Sequence, residues 1–311
     1  MNPLSRRDFM MAAASAAGVS GLSLNAEAAP RSGKATRYIA AYDTESPACL
    51  KACEKIVALH KRREMPATFF ILAKTLLAHP KEYRALLEDP LFEIASHTYD
   101  HQMLRDNNFC GPAAPSEQIR KEIVASKKAI EEVFEKPCAG LRPGCGFDKA
   151  LRGAKHVLAL VREAGYSYVS SLLWGPDYSM PALLHEAFNY AEDGFPEIWE
   201  LPGHGWHENL LKNHNRWGPR RLTLWPPPMP EAIPAGFVKT PEEEFAVNRV
   251  FLEKALERSH SFVSLIWHPW SLDRFDPDLK TLELTFTHAR KLKLEPCTYA
   301  DIRKHVSEYT P

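Results

Sequence analysis

The sequence lacks an excess of charge of either sign. Its 311 residues contain 39 Lys and Arg side chains and 39 Asp and Glu side chains, and the isoelectric point is about 7.2. Proteins that bind nucleic acid or an anionic membrane surface usually carry a basic field, because phosphate contacts and counterion release dominate such binding. The balanced charge gives no indication of either partner, and we therefore expect no nucleic-acid partner.

Several other patterns are missing. The chain has no Cys-x-x-Cys pair, no zinc-ribbon spacing, no Gly-rich dinucleotide fingerprint, no internal repeat and no linker-like segment. These absences argue against a zinc ribbon, a dinucleotide-binding fold and a multidomain chain. The composition, with 45% hydrophobic and 25% charged residues, is that of a globular protein. We therefore expect one folded domain over residues 35–305.

The six cysteines leave the disulfide pattern open. Cys49 and Cys53 are four residues apart on a predicted helix, so their side chains share one face. Any given pair could form a bridge in an exported protein, or its members could be buried as small apolar residues. The sequence does not decide between these alternatives, nor does it give the oligomeric state.

The N-terminal segment, residues 1–29, has the features of an export signal. The paired Arg6 and Arg7 precede a weakly apolar run rich in Ala, Ser and Gly, and an A-x-A pattern ends at Ala28. This order is typical of a twin-arginine signal peptide. The apolar run is too short for a stable membrane span, and no later segment resembles one. We therefore predict an exported, periplasmic mature chain that begins near Ala29.

Strand-like apolar runs alternate with helical patterns along the rest of the chain. The strand-like runs include residues 37–42, 66–72, 91–96, 138–143, 166–171 and 261–268. The helical patterns cover residues 47–64, 80–89, 116–134, 149–165, 242–259 and 278–293. Such alternation predicts parallel β/α units, and a count of about seven strands predicts a closed or nearly closed α/β barrel. Residues 202–241 show little periodicity and predict a rim insertion or a cover over the site.

Two histidines, His97 and His101, follow the strand-like run at residues 91–96. In a β/α barrel, functional side chains come from the carboxyl ends of the strands. A turn at this point would aim both imidazole rings the same way, and neutral imidazoles are common ligands of zinc. Taken alone, this spacing is more typical of surface or polar-core histidines.

Ionisable residues also close other predicted strands. Asp43 and Glu45 end the first strand in AAYDTES, Arg142 ends CAGLRPG, and His268 ends SLIWHPW. Buried carboxylates and imidazoles are costly unless they are paired or bound to a metal. A single such residue could belong to a structural ion pair, but together with the two histidines they predict a functional site at one rim.

These motifs resemble those of the polysaccharide deacetylase family with the NodB homology domain, a carbohydrate esterase family 4-like group. The resemblance covers roughly residues 35–301, and its most specific parts are SHTYDH, LRPG and IWHP. It implies a distorted (β/α)7 barrel in a single domain. It also implies a hydrolase that removes acetyl groups from an N-acetylated or O-acetylated glycan with one divalent metal ion, for which we expect zinc.

The resemblance implies a role for each matching residue. His97 and His101 match the metal-binding histidine motif, and Asp43 matches the catalytic base. Arg142 matches the arginine that orients the base, and His268 matches the general acid. On this mechanism the metal activates water, Asp43 takes its proton, and protonated His268 donates to the departing amine.

The sequence departs from the family pattern at two points. Where a second aspartate often binds the metal, this chain has Thr44, and we interpret Glu45 of the D-x-E motif as the third ligand. In the alternative, Glu45 is a rim residue and the metal is held by the two histidines and Asp43. The Asp-and-Trp motif that orients the acid histidine is reduced to Trp174 without an aspartate, so we expect another group to hold His268.

Substrate-binding residues are less clearly indicated. Trp174 and Trp270, with His204 and His207, could edge the site, and the tryptophans could stack on sugar rings; Trp217 and Trp225 belong to the same hypothesis. Tryptophans in a Pro-rich loop are just as often the loop's own small core.

Three functions remain open at this point. The first is an exported carbohydrate deacetylase that acts on carbon–nitrogen bonds. The second is a hydrolase of a small linear or cyclic non-peptide amide, which the D-x-E motif also allows. The third is a non-catalytic carbohydrate-binding module, which the full set of site residues argues against. The expected partner is thus a carbohydrate or a small amide.

Overall fold

The computed structural model describes residues 35–212, 223–224 and 229–306. The predicted export signal at residues 1–29 and the tryptophans at 217 and 225 lie outside the described residues. Within them, no helix combines the length and apolar character that a bilayer crossing requires.

A parallel sheet forms the centre of the fold. The strands are β1 (Arg37–Thr44), β2 (Ala67–Ile71), β3 (Phe92–Ser96), β4 (Gly140–Leu141), β5 (Tyr168–Val169), β6 (Ser179–Met180), β7 (Phe188–Tyr190), β8 (Phe195–Glu200), β9 (Thr223–Leu224), β10 (Phe262–Trp267) and β11 (Glu295–Pro296). Seven of them, in the order β10-β1-β2-β3-β4-β5-β8, pair in parallel. β7 adds to β8 in antiparallel orientation, β11 pairs with β1, and β6 and β9 form a separate two-stranded sheet.

Helices follow most of the parallel strands. They are α1 (Cys49–Arg63), α2 (Ala73–Ala78), α3 (Pro80–Leu87), α4 (Ser116–Arg120), α5 (Ser126–Phe134), α6 (Lys155–Ala164), α7 (Glu208–Leu211), α8 (Pro241–Glu257), α9 (Pro269–Phe275), α10 (Lys280–Lys291) and α11 (Tyr299–His305). A π-helical turn at Lys121–Ala125 joins α4 to α5. The described chain is therefore one α/β domain, and the predicted distorted (β/α)7 barrel is confirmed.

The seam between β8 and β10 is closed by a histidine rather than by a regular ladder. The backbone N–H of His204 donates to the Ser264 carbonyl at 3.1 Å, and the Ser264 N–H donates to His204 Nδ1 at 3.0 Å. The imidazole nitrogen thus takes the place of a backbone acceptor. Its Nε2 bonds the His185 carbonyl at 3.1 Å, and the side chain is buried.

The sequence pattern does not predict β8. In its sequence FPEIWE, the second and third residues, Pro196 and Glu197, are exposed, so no continuous apolar run or regular alternation marks the strand. The predicted helix over residues 149–165 begins only at Lys155, because the chain first makes turns with positive φ at Ala150 and Gly153.

The carboxyl ends of strands β1 to β4 lie side by side at the same edge of the sheet. Successive register partners across β1 to β4 are Thr44, Ile71, Ser96 and Leu141. The next residues after three of these ends are Glu45, His97 and Arg142. Ladder-type backbone bonds continue past the ends, from His97 N to Ile71 O at 3.0 Å and from Arg142 N to Ser96 O at 2.7 Å. The sheet therefore delivers these side chains to one rim.

The core between sheet and helices is aromatic and includes one neutral histidine. Tyr42 stacks on Phe69 with ring centroids 5.0 Å apart. His60 is fully buried; it bonds the Met65 carbonyl through Nδ1 at 2.6 Å and the Tyr42 hydroxyl through Nε2 at 2.7 Å. Burial lowers the pKa of His60 to about 4, so the ring is uncharged in the folded protein at neutral pH.

The described part of the rim insertion near residues 202–241 joins the hydrophobic core of the domain. Trp206 is buried and its indole N–H donates to the Ala232 carbonyl at 2.9 Å. Met229 and Val238 are buried as well. This packing holds α7, which carries residues at the site, against the barrel.

A candidate metal centre and active site

Three side chains converge at the rim in a geometry suited to a metal ion. A ligand atom from each of Glu45, His97 and His101 lies within 4.8 Å of the other two. Glu45 Oε2 is 3.6 Å from His97 Nε2 and 3.2 Å from His101 Nε2. Each histidine therefore directs its Nε2 toward the same carboxylate oxygen of Glu45.

His97 is oriented by the backbone. Its Nδ1–H donates to the Arg142 carbonyl at 3.0 Å, which fixes the tautomer and leaves Nε2 as the acceptor. Nε2 is buried and has no hydrogen-bond partner among the described residues. An orphaned buried imidazole nitrogen is costly, and a metal ion is a partner that satisfies it.

His101 depends on the loop between the two histidines. Thr98 and His101 both have positive φ, 71° and 61°. The buried Glu122 carboxylate accepts from the backbone N–H groups of Tyr99 at 3.0 Å and of Asp100 at 2.8 Å. Glu122 belongs to the π-helical turn, a feature common at functional sites. Its charge thus holds the loop in its strained form.

Gly144 leaves room for the His101 ring. A Cβ atom at this position would lie 2.6 Å from His101 Cε1 and 2.7 Å from each ring nitrogen, which is far below ordinary contact. Only glycine therefore fits against the face of this imidazole.

The donor set fits a divalent metal ion. Two neutral imidazoles and one carboxylate are a common catalytic zinc set and leave a coordination position free. Burial raises the pKa of Glu45, but His268 and the two nearby histidines outweigh it, so the pKa lies well below its usual range. Burial lowers the pKa of His101, but Glu45 raises it above the usual value. A bound cation would displace a proton from such an imidazole.

Asp43 is held by a buried arginine. Arg142 Nη1 donates to Asp43 Oδ1 at 2.8 Å, and both side chains are almost inaccessible. Burial raises the pKa of Asp43, but the charge of Arg142, followed by His97 and His268, lowers it below the usual value. Arg142 Nη2 donates to Ser170 Oγ and to the Tyr299 hydroxyl. Asp43 is therefore ionised and fixed in orientation.

Glu208 is the group that holds His268. The His268 backbone N–H donates to Glu208 Oε1 at 2.9 Å, and His268 Nδ1 lies 3.4 Å from Glu208 Oε2. His268 Nε2 is 3.7 Å from Glu45 Oε1. Burial alone would lower the pKa of His268, but Glu45 and then Glu208 raise it to about 10. The sequence did not point to Glu208, which lies on α7 in the irregular insertion; its Glu-x-x-x-Lys spacing was the one available signal.

A further buried ion pair supports Glu208. Burial raises the pKa of Glu208, but Lys212 and then His268 lower it. Lys212 Nζ lies 3.1 Å from Glu244 Oε2, and both side chains are fully buried. Trp267 Nε1 donates to Glu244 Oε1 at 3.1 Å. A chain of alternating basic and acidic side chains thus runs from His268 into the protein.

The predicted substrate-binding residues separate into two groups. Trp174 and His207 line a cavity that is also lined by the candidate metal triad, Asp43 and His268. Trp270 lies behind the site, where its indole N–H donates to Glu45 Oε1 at 3.2 Å. His204 does not line the cavity. Its Nδ1 accepts a hydrogen bond at the barrel seam and its Nε2 bonds the His185 carbonyl, so it is a structural residue.

A disulfide joins two loops at the rim. Cys110 and Cys145 are bonded, and the other four cysteines are buried and free. Cys145 lines the cavity, and its carbonyl accepts from Trp174 Nε1 at 2.6 Å. The bridge therefore ties the loop after the second histidine to the loop that carries Gly144.

The fold and the donor set together define an α/β barrel with a candidate metal site at its rim. A family model described as polysaccharide deacetylase matches residues 39–169, which include Asp43, Glu45, both histidines and Arg142. This region of the chain is thus similar to the polysaccharide deacetylase family. A search of curated proteins finds no significant match.

Solved structures share the fold at low sequence identity. A Mycobacterium smegmatis protein assigned as a polysaccharide deacetylase is 19% identical with a TM-score of 0.61, covering 91% of this chain and 96% of its own. The Puue allantoinase is 14% identical with a TM-score of 0.59, covering 90% and 93%. A Pseudomonas aeruginosa PAO1 protein assigned as a polysaccharide deacetylase is 15% identical with a TM-score of 0.59, covering 89% and 91%. At these identities the likeness establishes the fold.

Proposed function

We propose that this protein is a metal-dependent hydrolase that removes acetyl groups from an N-acetylated or O-acetylated glycan. The observation that carries the proposal is the convergence of Glu45, His97 and His101 beside two further groups, the ionised Asp43 and the carboxylate-bound His268. The match of residues 39–169 to the polysaccharide deacetylase family model supports the reaction class, and the metal we propose is zinc.

Glu45, His97 and His101 would hold the ion. When bound, a divalent ion lowers the pKa of a water molecule and polarises the acyl carbonyl. The chain supplies oriented ligands: the Arg142 carbonyl fixes the ring of His97, and Trp270 fixes Glu45. Such supporting hydrogen bonds commonly tune metal affinity.

Asp43 acts as the general base in this proposal. Its carboxylate accepts the proton of the attacking water as the new carbon–oxygen bond forms. Arg142 keeps Asp43 ionised and leaves one carboxylate oxygen to accept the proton, because Nη1 bonds only Oδ1.

His268 acts as the general acid. It gives its Nε2 proton to the leaving nitrogen as the carbon–nitrogen bond breaks, so acetate and a free amine result. Glu208 stabilises the protonated ring and keeps Nδ1 turned away from the cavity.

We further propose that the protein is exported through the twin-arginine route. The paired Arg6 and Arg7 support this location. The disulfide between Cys110 and Cys145 supports it independently, because disulfides persist mainly in oxidising compartments.

The reaction is tested by measuring acetate release from N-acetylated and O-acetylated glycans, with a small cyclic amide as a further substrate. We expect zinc-loaded protein to deacetylate a glycan, and chelation to stop the reaction. Asp43→Asn should reduce kcat by about 10²–10⁴-fold with zinc still bound. Chelator-resistant activity, or hydrolysis of the cyclic amide alone, would refute the proposal.

A further inference from the structure

The insertion brings the two residues that flank Glu208 to the active-site cavity. After β8 the backbone is fixed by His204 at the barrel seam, and α7 then begins at Glu208. Glu208 is anchored to His268 by two contacts. Its neighbours, His207 and Asn209, both line the cavity. Their positions are thus set by the same contacts that hold the general acid.

Both neighbours carry a polar atom without a protein partner. His207 Nε2 and Asn209 Oδ1 are buried and make no hydrogen bond to the described residues. Asn209 is only 3% exposed, so its amide is not freely solvated. Leaving a buried polar group unsatisfied costs free energy, and such groups in native proteins commonly have a ligand or a water as their partner. Neither atom has a use in the proton transfers assigned above.

The pair is rigid and uncharged. The His207 ring packs on Trp174 with centroids 4.8 Å apart, and Trp174 is fixed by its bond to the Cys145 carbonyl. Burial, followed by the nearby His268, lowers the pKa of His207 to about 4, so the ring is neutral. Neutral amide and imidazole groups suit hydroxyl and amide N–H groups. The carboxylates of the same cavity disfavour an anionic substituent.

We propose that Asn209 and His207 form a substrate-recognition pair that hydrogen-bonds the hydroxyl or amide N–H groups of an uncharged N-acylated sugar. This inference rests on the proposed function, since it assigns substrate-recognition residues in the same site. The pair binds the substrate beside the reacting bond and takes no part in proton transfer.

Two variants test the pair separately. Asn209→Leu removes the amide at similar size, and His207→Phe removes Nε2 while keeping a ring on Trp174. Asn189→Leu is the matched control, because Asn189 lies on β7 and its amide accepts from Ala191 N outside the cavity. The substrates are oligomers of N-acetylglucosamine and 4-nitrophenyl acetate, an ester without sugar groups. Zinc content is measured for every variant.

We expect each variant to raise KM for the oligomer about tenfold, the effect of one lost hydrogen bond, with kcat nearly unchanged. Hydrolysis of 4-nitrophenyl acetate and zinc content should match those of the wild type and of Asn189→Leu. An unchanged KM for the oligomer, or an equal loss on both substrates, would overturn the pair's assignment.

Calorimetry separates this inference from the proposed reaction. The oligomer is titrated into zinc-loaded Asp43→Asn with and without Asn209→Leu. About tenfold weaker binding in the double variant supports the pair, even if the wild type hydrolyses neither substrate and the proposed reaction fails. Equal binding, or no binding to either protein, overturns the recognition pair.

Discussion

The substitution Gly144→Ala should prevent metal binding although it replaces none of the three ligand residues. A Cβ at residue 144 would stand 2.6 Å from the nearest atom of the His101 ring, whereas ordinary contacts begin at 3.4 Å. The ring must therefore retreat by about 0.8 Å, the difference between these two distances, while metal–ligand distances tolerate only about 0.2 Å. His101 can then no longer serve as a ligand.

The expected result is a large loss of zinc affinity in a folded protein. Changes in residues that merely support a ligand cost 10–100-fold in affinity, so displacement of His101 should reach about 100-fold. Affinity is measured by competition with a chromogenic chelator, and folding by circular dichroism. Gly236→Ala is the control, because a Cβ there meets no atom within 4 Å. If Gly144→Ala binds zinc as tightly as the control, His101 is not held as described.

Three further predictions concern the loop, the core and export. Glu122→Gln should lower zinc affinity about tenfold, because the loop between the histidines loses its charged acceptor, whereas exposed Glu117→Gln should not. His60 has a pKa of about 4 in the folded protein against an ordinary value of 6.5, so between these pH values only the unfolded chain binds a proton at this ring. The free energy of unfolding therefore decreases as the pH is lowered from 6.5 to about 4. His60→Gln should reduce this dependence by up to about 1.4 kcal/mol per pH unit in acid denaturation curves, and an unchanged slope would contradict it. Replacing Arg6 and Arg7 by Lys should abolish export, because the receptor reads paired guanidinium groups; normal periplasmic levels in fractionated cells would refute the twin-arginine route.

The site was more predictable from the sequence than the elements around it. Asp43 lies near the end of β1, and Glu45 and His97 directly follow β1 and β3. The apolar runs of these strands are easily recognised, and parallel strands deliver such residues to one rim. Local pattern and general topology were therefore enough to group these residues.

Other parts depend on contacts that local patterns do not encode. The bond between Glu208 and His268 spans 60 residues and is set by the path of an insertion without periodicity. His204 resembled a site histidine, yet the absence of a regular ladder between β8 and β10 makes it a structural acceptor. The pairing of Cys110 with Cys145 likewise depends on where two loops meet.

The most direct test of the account is an anomalous difference map at the zinc edge from crystals of the zinc-loaded protein. We expect one peak among Glu45, His97 and His101, with the imidazole nitrogens about 2.0–2.1 Å and the carboxylate oxygen about 2.0–2.2 Å from the ion. A peak bound by Asp43 and the two histidines with Glu45 turned away would contradict the ligand assignment, and no peak in this cavity would contradict the metal centre itself.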